Sequence, residues 1–329
     1  MRKFLTALSF SVGAAVVASS APVSAQTDYP TRPITMVVPY AAGGPTDIYG
    51  RLLAEPMSQY LGRPVVIENV GGAGGTIGTA KLAKANPDGY TIMIHQVGLP
   101  IGAAVYNGLP YDATRDLAGI GLINRAPILL LGRPDLPASN LQELIKWMKA
   151  PGRVVKVAHA GVGSHAHMCG QLFVEAVGVE NTQIPYRGIG LAMTDLMGSQ
   201  VDLMCSSLNA AVHVRSGKMK AFAITSRDRF SLMPELSTMV EAGYPHLEFI
   251  SSHALYAPAG TPKEVLAKLT AALQVALKEE KVLDRFAKTG VETYPVQSQT
   301  PEATMELLKK EVARWTGIVE KHKIPKAGK

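Results

Sequence analysis

The residues best suited to chemistry crowd into one stretch, His159-Ala160-Gly161-Val162-Gly163-Ser164-His165-Ala166-His167, with Cys169 just beyond. Three imidazoles and a thiol raise the question of a metal. His165 and His167 are two residues apart, which on a helix sets them about 200° apart, whereas helical ligand pairs use i, i+3 or i, i+4 spacing. No metal is expected. Ser164 beside His165 raises the question of a nucleophile. The order Gly161-Val162-Gly163-Ser164-His165 is not the G-x-S-x-G of a nucleophile elbow, and no Asp or Glu is evidently placed to orient His165. No catalytic set is expected. Ser164 reads instead as a helix cap that also bonds a ligand, and His165 as a direct or water-mediated ligand contact or a helix-start surface residue.

Gly71-Gly72-Ala73-Gly74-Gly75 invites comparison with dinucleotide loops. Ile77 stands where the third Gly of G-x-G-x-x-G would fall, and the Lys-Ser/Thr of a P-loop is missing. A tight turn with close helix–strand packing, also able to reach a cleft wall, is the better reading.

Three segments share another design: a strand, a loop of small residues, a helix start. They are Tyr40 to Asp47, Ala160 to His165 and Tyr186 to Gly190. Glycine lets the backbone approach a ligand closely. The first helical N–H groups have no partner inside the helix, and the helix dipole adds positive potential there. Together these features bind anions without an arginine. Among individual side chains, Tyr40 can wall a ligand and donate one hydrogen bond. Asp47 can meet a ligand amine or simply stabilise a helix start. Arg187 can pair with a carboxylate or form an interlobe or surface ion pair. Asp202 would repel a carboxylate, so its expected task is to orient Arg187, a backbone amide or water.

The elements that position these loops alternate. Ile34 to Pro39, Val65 to Asn69 and Tyr90 to Ile94 read as strands, with helical patterns after the first two. Ile120 to Arg133 is apolar and extended, and Leu141 to Met148 is helical. Val154 to Ala158, Thr182 to Pro185, Val201 to Cys205, Lys220 to Thr225 and Leu255 to Ala257 read as further strands, and a long amphipathic helix follows Pro262. Alternating strands and helices point to an α/β fold with parallel sheet.

At 329 residues with 47% hydrophobic and 18% charged content, the chain has material for two domains with sizeable cores. Aromatic content of 6% argues against a stacking surface for nucleic acid. Arg2 and Lys3, the uncharged run Phe4 to Ala21 and the small-residue end Val23-Ser24-Ala25 read as a secretory signal cleaved near Ala25. Its removal takes the net charge from +7 to +5, with the basic residues scattered apart from the tail Lys321, Lys323, Lys326 and Lys329. No later stretch offers about 18 uninterrupted apolar residues. Export would permit a disulfide between Cys169 and Cys205; two cysteines leave the pairing open.

Several segments, in order along the chain, resemble the Bug family, the TctC-like extracytoplasmic solute receptors of tripartite tricarboxylate transporters. They are Arg32-Pro33-Ile34, Pro39 to Asp47, Glu68 to Gly75, Pro87-Asp88-Gly89-Tyr90-Thr91, Pro185-Tyr186-Arg187-Gly188, Gly198 to Asp202, and Ala257 to Pro262. The resemblance implies a type II periplasmic-binding-protein fold, two α/β lobes closing on a ligand like a flytrap, with the chain crossing between lobes and back. The expected division is a signal peptide at 1–25, lobe 1 at 26–127 plus 253–329, and lobe 2 at 128–252. The implied ligand set is Tyr40, Ala42, Gly43, Gly44, Thr46, Asp47, Ala160, Gly161, Val162, Gly163, Ser164, Arg187, Gly188 and Asp202, to which His165 is added from the residues themselves.

Three places depart from the family pattern. Ser206-Ser207 replace a common Asp-Asn pair. Ser251-Ser252-His253 stand where many members have a Trp, which hints at room for a ring or a longer chain. His165-Ala166-His167 is unusual. The expected protein is a monomeric periplasmic binding protein that captures a small carboxylate (a di- or tricarboxylate, an amino acid or an aromatic acid) and delivers it to transporter membrane subunits, with no cofactor and no nucleic acid. An exported hydrolase and a ligand sensor for a receptor are the alternatives.

Overall fold

The computed structural model describes residues 28–328. The signal peptide expected at 1–25 lies outside the described residues.

Among the described residues ten strands carry the fold: β1 Ile34–Val38, β2 Val65–Asn69, β3 Thr91–Gln96, β4 Leu117–Gly132, β5 Val155–His159, β6 Asn181–Pro185, β7 Leu203–Ser207, β8 Lys220–Ile224, β9 Ile250–Pro258 and β10 Glu292–Thr293. The helices are α1 Pro45–Leu61, α2 Thr76–Ala83, α3 Gly98–Val105, α4 Leu141–Met148, α5 His165–Val177, α6 Ile189–Met197, α7 Ala211–Arg215, α8 Lys263–Ala276, α9 Glu280–Thr289 and α10 Pro301–Lys321.

Strand order is β2-β1-β3-β9-β4-β7-β5-β6, with β8 and β10 also paired to β4. β1, β2 and β3 run parallel, as do β5, β6 and β7. The inner strands are short and mostly apolar because helices cover the sheet faces, and four of the five residues of β1 are buried, whereas the edge strand β6, Asn181–Pro185, is mostly polar. Between the two parallel groups lie the long antiparallel strands β4 and β9. Residues Leu117 to Pro127 of β4 pair with β9, whereas Ile128 to Gly132 pair with β7 and β8. One strand therefore belongs to both lobes, and β9 extends five residues earlier than the sequence suggests.

Thr225 ties the crossing point. Its N–H donates to the Ile128 carbonyl at 2.9 Å, and its Oγ1 accepts from the Ile128 N–H at 2.8 Å and donates to the Phe249 carbonyl at 2.7 Å. Phe249 in turn meets the fully buried Trp315 of α10 edge-on, ring centres 5.7 Å apart. The side chains of Cys169 in α5 and Cys205 in β7 form a disulfide, which fastens the helix whose start faces the cleft to the strand beneath it.

Candidate functional site

Pro45 opens α1 because its missing N–H would be unpaired in the first turn anyway. Gly44, the residue before it, supplies no side-chain cap, and neither does Gly188 before α6. Thr46, Asp47 and Ile189 are nevertheless buried. A buried helix start without a cap leaves its N–H groups to a ligand or solvent. The third start, α5, is capped in part: Ser164 Oγ accepts from His167 N at 3.2 Å.

All three starts meet at one cavity. It is lined by Gly44, Pro45 and Thr46 from α1, Ala160 and His165 around the start of α5, Ile189 from α6, and Tyr40 and Gln96. Tyr40 stands in the wall. Its hydroxyl donates to the Gly74 carbonyl at 3.1 Å and accepts from Gln96 Nε2 at 2.7 Å, while Gln96 Oε1 accepts from Gly98 N at 2.7 Å. Burial pushes the Tyr40 hydroxyl pKa far up, so it stays protonated. Thr46 Oγ1 lies 3.2 Å from His253 Nε2, and His253 Nδ1 lies 2.9 Å from Asn124 Oδ1. His253 also packs edge-on against Tyr49, ring centres 4.9 Å apart.

His165 is 5% exposed, and neither ring nitrogen has a hydrogen-bond partner among the described residues. Burial lowers its pKa to about 4; burial and the nearby His165 lower His95 to about 3, and burial holds His253 well below its ordinary value. These imidazoles are neutral at pH 7.

Other expected site residues sit around the cavity rather than in its wall. Ala42 and Gly43 are exposed at the loop tip. Asp47 turns back into its own loop, accepting from Gly43 N at 2.9 Å, Asn69 Nδ2 at 2.9 Å and Arg51 Nε at 3.0 Å. Burial alone would raise its pKa; the bonds from Arg51, Gly43 and Asn69 outweigh it and hold the carboxyl below its usual range. Gly161, Val162, Gly163 and Gly188 form the seam between lobes: the Val162 carbonyl accepts from Tyr106 OH at 3.1 Å, and a Cβ on Gly188 would lie 2.9 Å from Ala41 N. Arg187 has an exposed side chain, and its carbonyl accepts from Ala41 N at 3.1 Å. Asp202 lies at the opposite end of β7 from the cavity, held by Arg133 Nε at 2.9 Å and Lys156 N at 2.8 Å. Of the expected partners it keeps a backbone amide, and Arg133 takes the place of Arg187.

Pro45, Gln96 and Ile189 line the cavity but were not among the expected ligand residues. Gln96 had a signal: it closes a parallel strand, and ligands in such sheets lie beyond the carboxyl ends. Ile189 had one too, as the first helical residue after an uncapped glycine.

Residues 49–324 match the TctC family, the tripartite tricarboxylate transporter family receptor. The chain is 38% identical to protein BugT of Bordetella pertussis over 325 residues, covering 97% of each. It resembles the solved periplasmic binding protein BugD at 42% identity and a TM-score of 0.88, covering 91% of this chain and 100% of that one. It also resembles MatC from Rhodopseudomonas palustris, solved with bound malate, at 35% identity and a TM-score of 0.85, covering 88% and 100%. With most of its length matched and its fold shared, the chain belongs to the tripartite tricarboxylate transporter receptor family.

Proposed function

We propose that this protein captures a small carboxylate between its lobes and presents the closed form to the membrane subunits of a tripartite tricarboxylate-type transporter. It acts after export to the periplasm, as a monomer whose lobes comprise 26–127 plus 253–329 and 128–252. The observation that carries this reading is the convergence of three helix starts, two of them uncapped and buried, on a single cavity. Oriented N–H groups and helix dipoles attract negative charge there without any side-chain cation. The malate bound by MatC supports a carboxylate as the class of ligand. Catalysis is not part of this reading. A hydrolase needs nucleophile, base and orienter in mutual reach, whereas the Ser164 hydroxyl is engaged in capping α5.

Titration calorimetry and thermal unfolding against a panel of mono-, di- and tricarboxylates, amino acids and aromatic acids test the proposal. A true ligand at 100 times its dissociation constant should add about 2.7 kcal/mol of stability and be recovered unchanged. Binding of none of these acids, or conversion of one into product, would contradict it.

A further inference from the structure

The polar side chains in the cavity wall are not equivalent. Tyr40 and Gln96 bond each other, Gln96 and Tyr40 also bond Gly98 N and the Gly74 carbonyl, and Thr46 is paired with His253. His165 is the exception: it lines the cavity, is 95% buried, and has no protein partner for either ring nitrogen among the described residues. A neutral imidazole offers one donor and one acceptor. It therefore suits an uncharged group that can accept or donate.

Charged groups suit the position less well. No side chain lining the cavity carries a full charge. Asp47, the nearest carboxylate in sequence, is consumed by Gly43, Arg51 and Asn69, so an ammonium finds no counter-charge. The Arg187 side chain is exposed. A second carboxylate set against His165 would meet only the one N–H of a neutral ring with no cation in the cavity wall to offset its buried charge, and burial together with the neighbouring His95 of β3 and His253 of β9 opposes the protonation that would supply one.

Resting on the carboxylate reading above, we infer that His165 selects the ligand's second group: the acid carried by this protein bears an uncharged hydrogen-bonding function, such as an amide, carbonyl, hydroxyl or ring nitrogen, in place of a second carboxylate or an ammonium. The carboxylate is met by the main chain at the helix starts, and the neutral group by the imidazole.

Two matched sets of probes test this by titration calorimetry: butyrate, succinamate, succinate and 4-aminobutyrate, and benzoate, nicotinate and isophthalate. In the unaltered protein the better of succinamate and nicotinate should bind at least tenfold tighter than its unsubstituted and charged counterparts. Its binding enthalpy should not depend on the ionisation heat of the buffer, since no proton is taken up. His165→Leu should reduce the preference over the unsubstituted acid to threefold or less, while His165→Gln, also neutral with donor and acceptor, should retain most of it. Tighter binding of succinate or isophthalate with proton uptake, tighter binding of 4-aminobutyrate, or an undiminished preference in His165→Leu would overturn the inference while leaving the carboxylate reading intact. Failure of every acid in the wider panel would remove both. The comparison among probes uses the unaltered chain, so the conclusion stands even where a variant folds poorly.

Discussion

Five imidazoles gather near the cleft, and their burial has a consequence that reaches beyond ligand binding. His159 and His165 have pKa values lowered to about 4, and His95 and His167 to about 3, all mainly by burial; His253 is lowered well below 6.5. The folded chain therefore binds fewer protons than the unfolded chain once the pH drops below about 6.5. Stability is fully present above that value and is lost as pH falls toward the folded values, by up to about 1.4 kcal/mol per pH unit for each histidine. Between pH 7 and 5 the carboxylates barely titrate, so the window isolates the imidazoles. Urea unfolding should show a loss of at least about 2 kcal/mol across it, with a shallower slope in His165→Gln. A flat profile would mean that these rings reach solvent. In sequence, His159, His165 and His167 were visible as candidates and His253 as a departure from the family pattern, whereas His95 was not singled out, and none of their roles was legible. Which ring nitrogen is unpaired depends on neighbours such as Asn124 and Thr46, which lie 129 and 207 residues from His253.

Helix starts were the most legible feature. Gly44-Pro45, Ser164-His165 and Gly188-Ile189 announce where α1, α5 and α6 begin, because proline, serine and glycine each have a local reason to stand there. The parallel strands were legible for a similar reason, as short apolar runs between turn residues. Strand ends were less so: β9 starts at Ile250 because its early residues pair with Arg125, Ala126 and Pro127 of β4, a partner no local pattern reveals. The disulfide belongs to this scale as well, since two cysteines 36 residues apart pair only once β7 is laid beneath α5. Closing a loop of that length should contribute about 3–4 kcal/mol through the unfolded chain. Cys169→Ala with Cys205→Ala, or reduction of the native protein, should lower the unfolding free energy by that amount in guanidinium titrations. A change below about 1 kcal/mol would imply an unfolded state already constrained in this region.

At the level of the whole molecule, closure is built from backbone meeting backbone. A Cβ on Gly74 would lie 1.9 Å from the Val162 carbonyl oxygen, and one on Gly161 would lie 2.5 Å from Gly74 N. Gly74 also holds a φ of 65°, which costs alanine about 1 kcal/mol. The glycine cluster read as a turn is therefore also the contact surface of lobe 1. Gly74→Ala should obstruct the closed form and weaken binding of a cognate acid tenfold or more, with only a small change in the melting temperature of the unliganded protein. Calorimetry measures the first, and scanning calorimetry the second. Unaltered affinity would show that ligand capture does not need this contact. Sequence pointed to two lobes through the alternation of strands and helices and the order of the motifs. It did not show that β4 serves both lobes or that Thr225 joins the crossing strands, because those bonds link residues about 25 to 100 positions apart.

One structure determination bears most directly on the proposed mode of capture: the protein crystallised with a bound acid from the panel. The carboxylate oxygens should lie within about 3.2 Å of main-chain nitrogens at the starts of α1, α5 and α6, with no arginine or lysine side chain in contact. An acid found instead against the guanidinium groups of Arg125, Arg227 and Arg229, in the wider cleft outside the crossing strands, would contradict that arrangement.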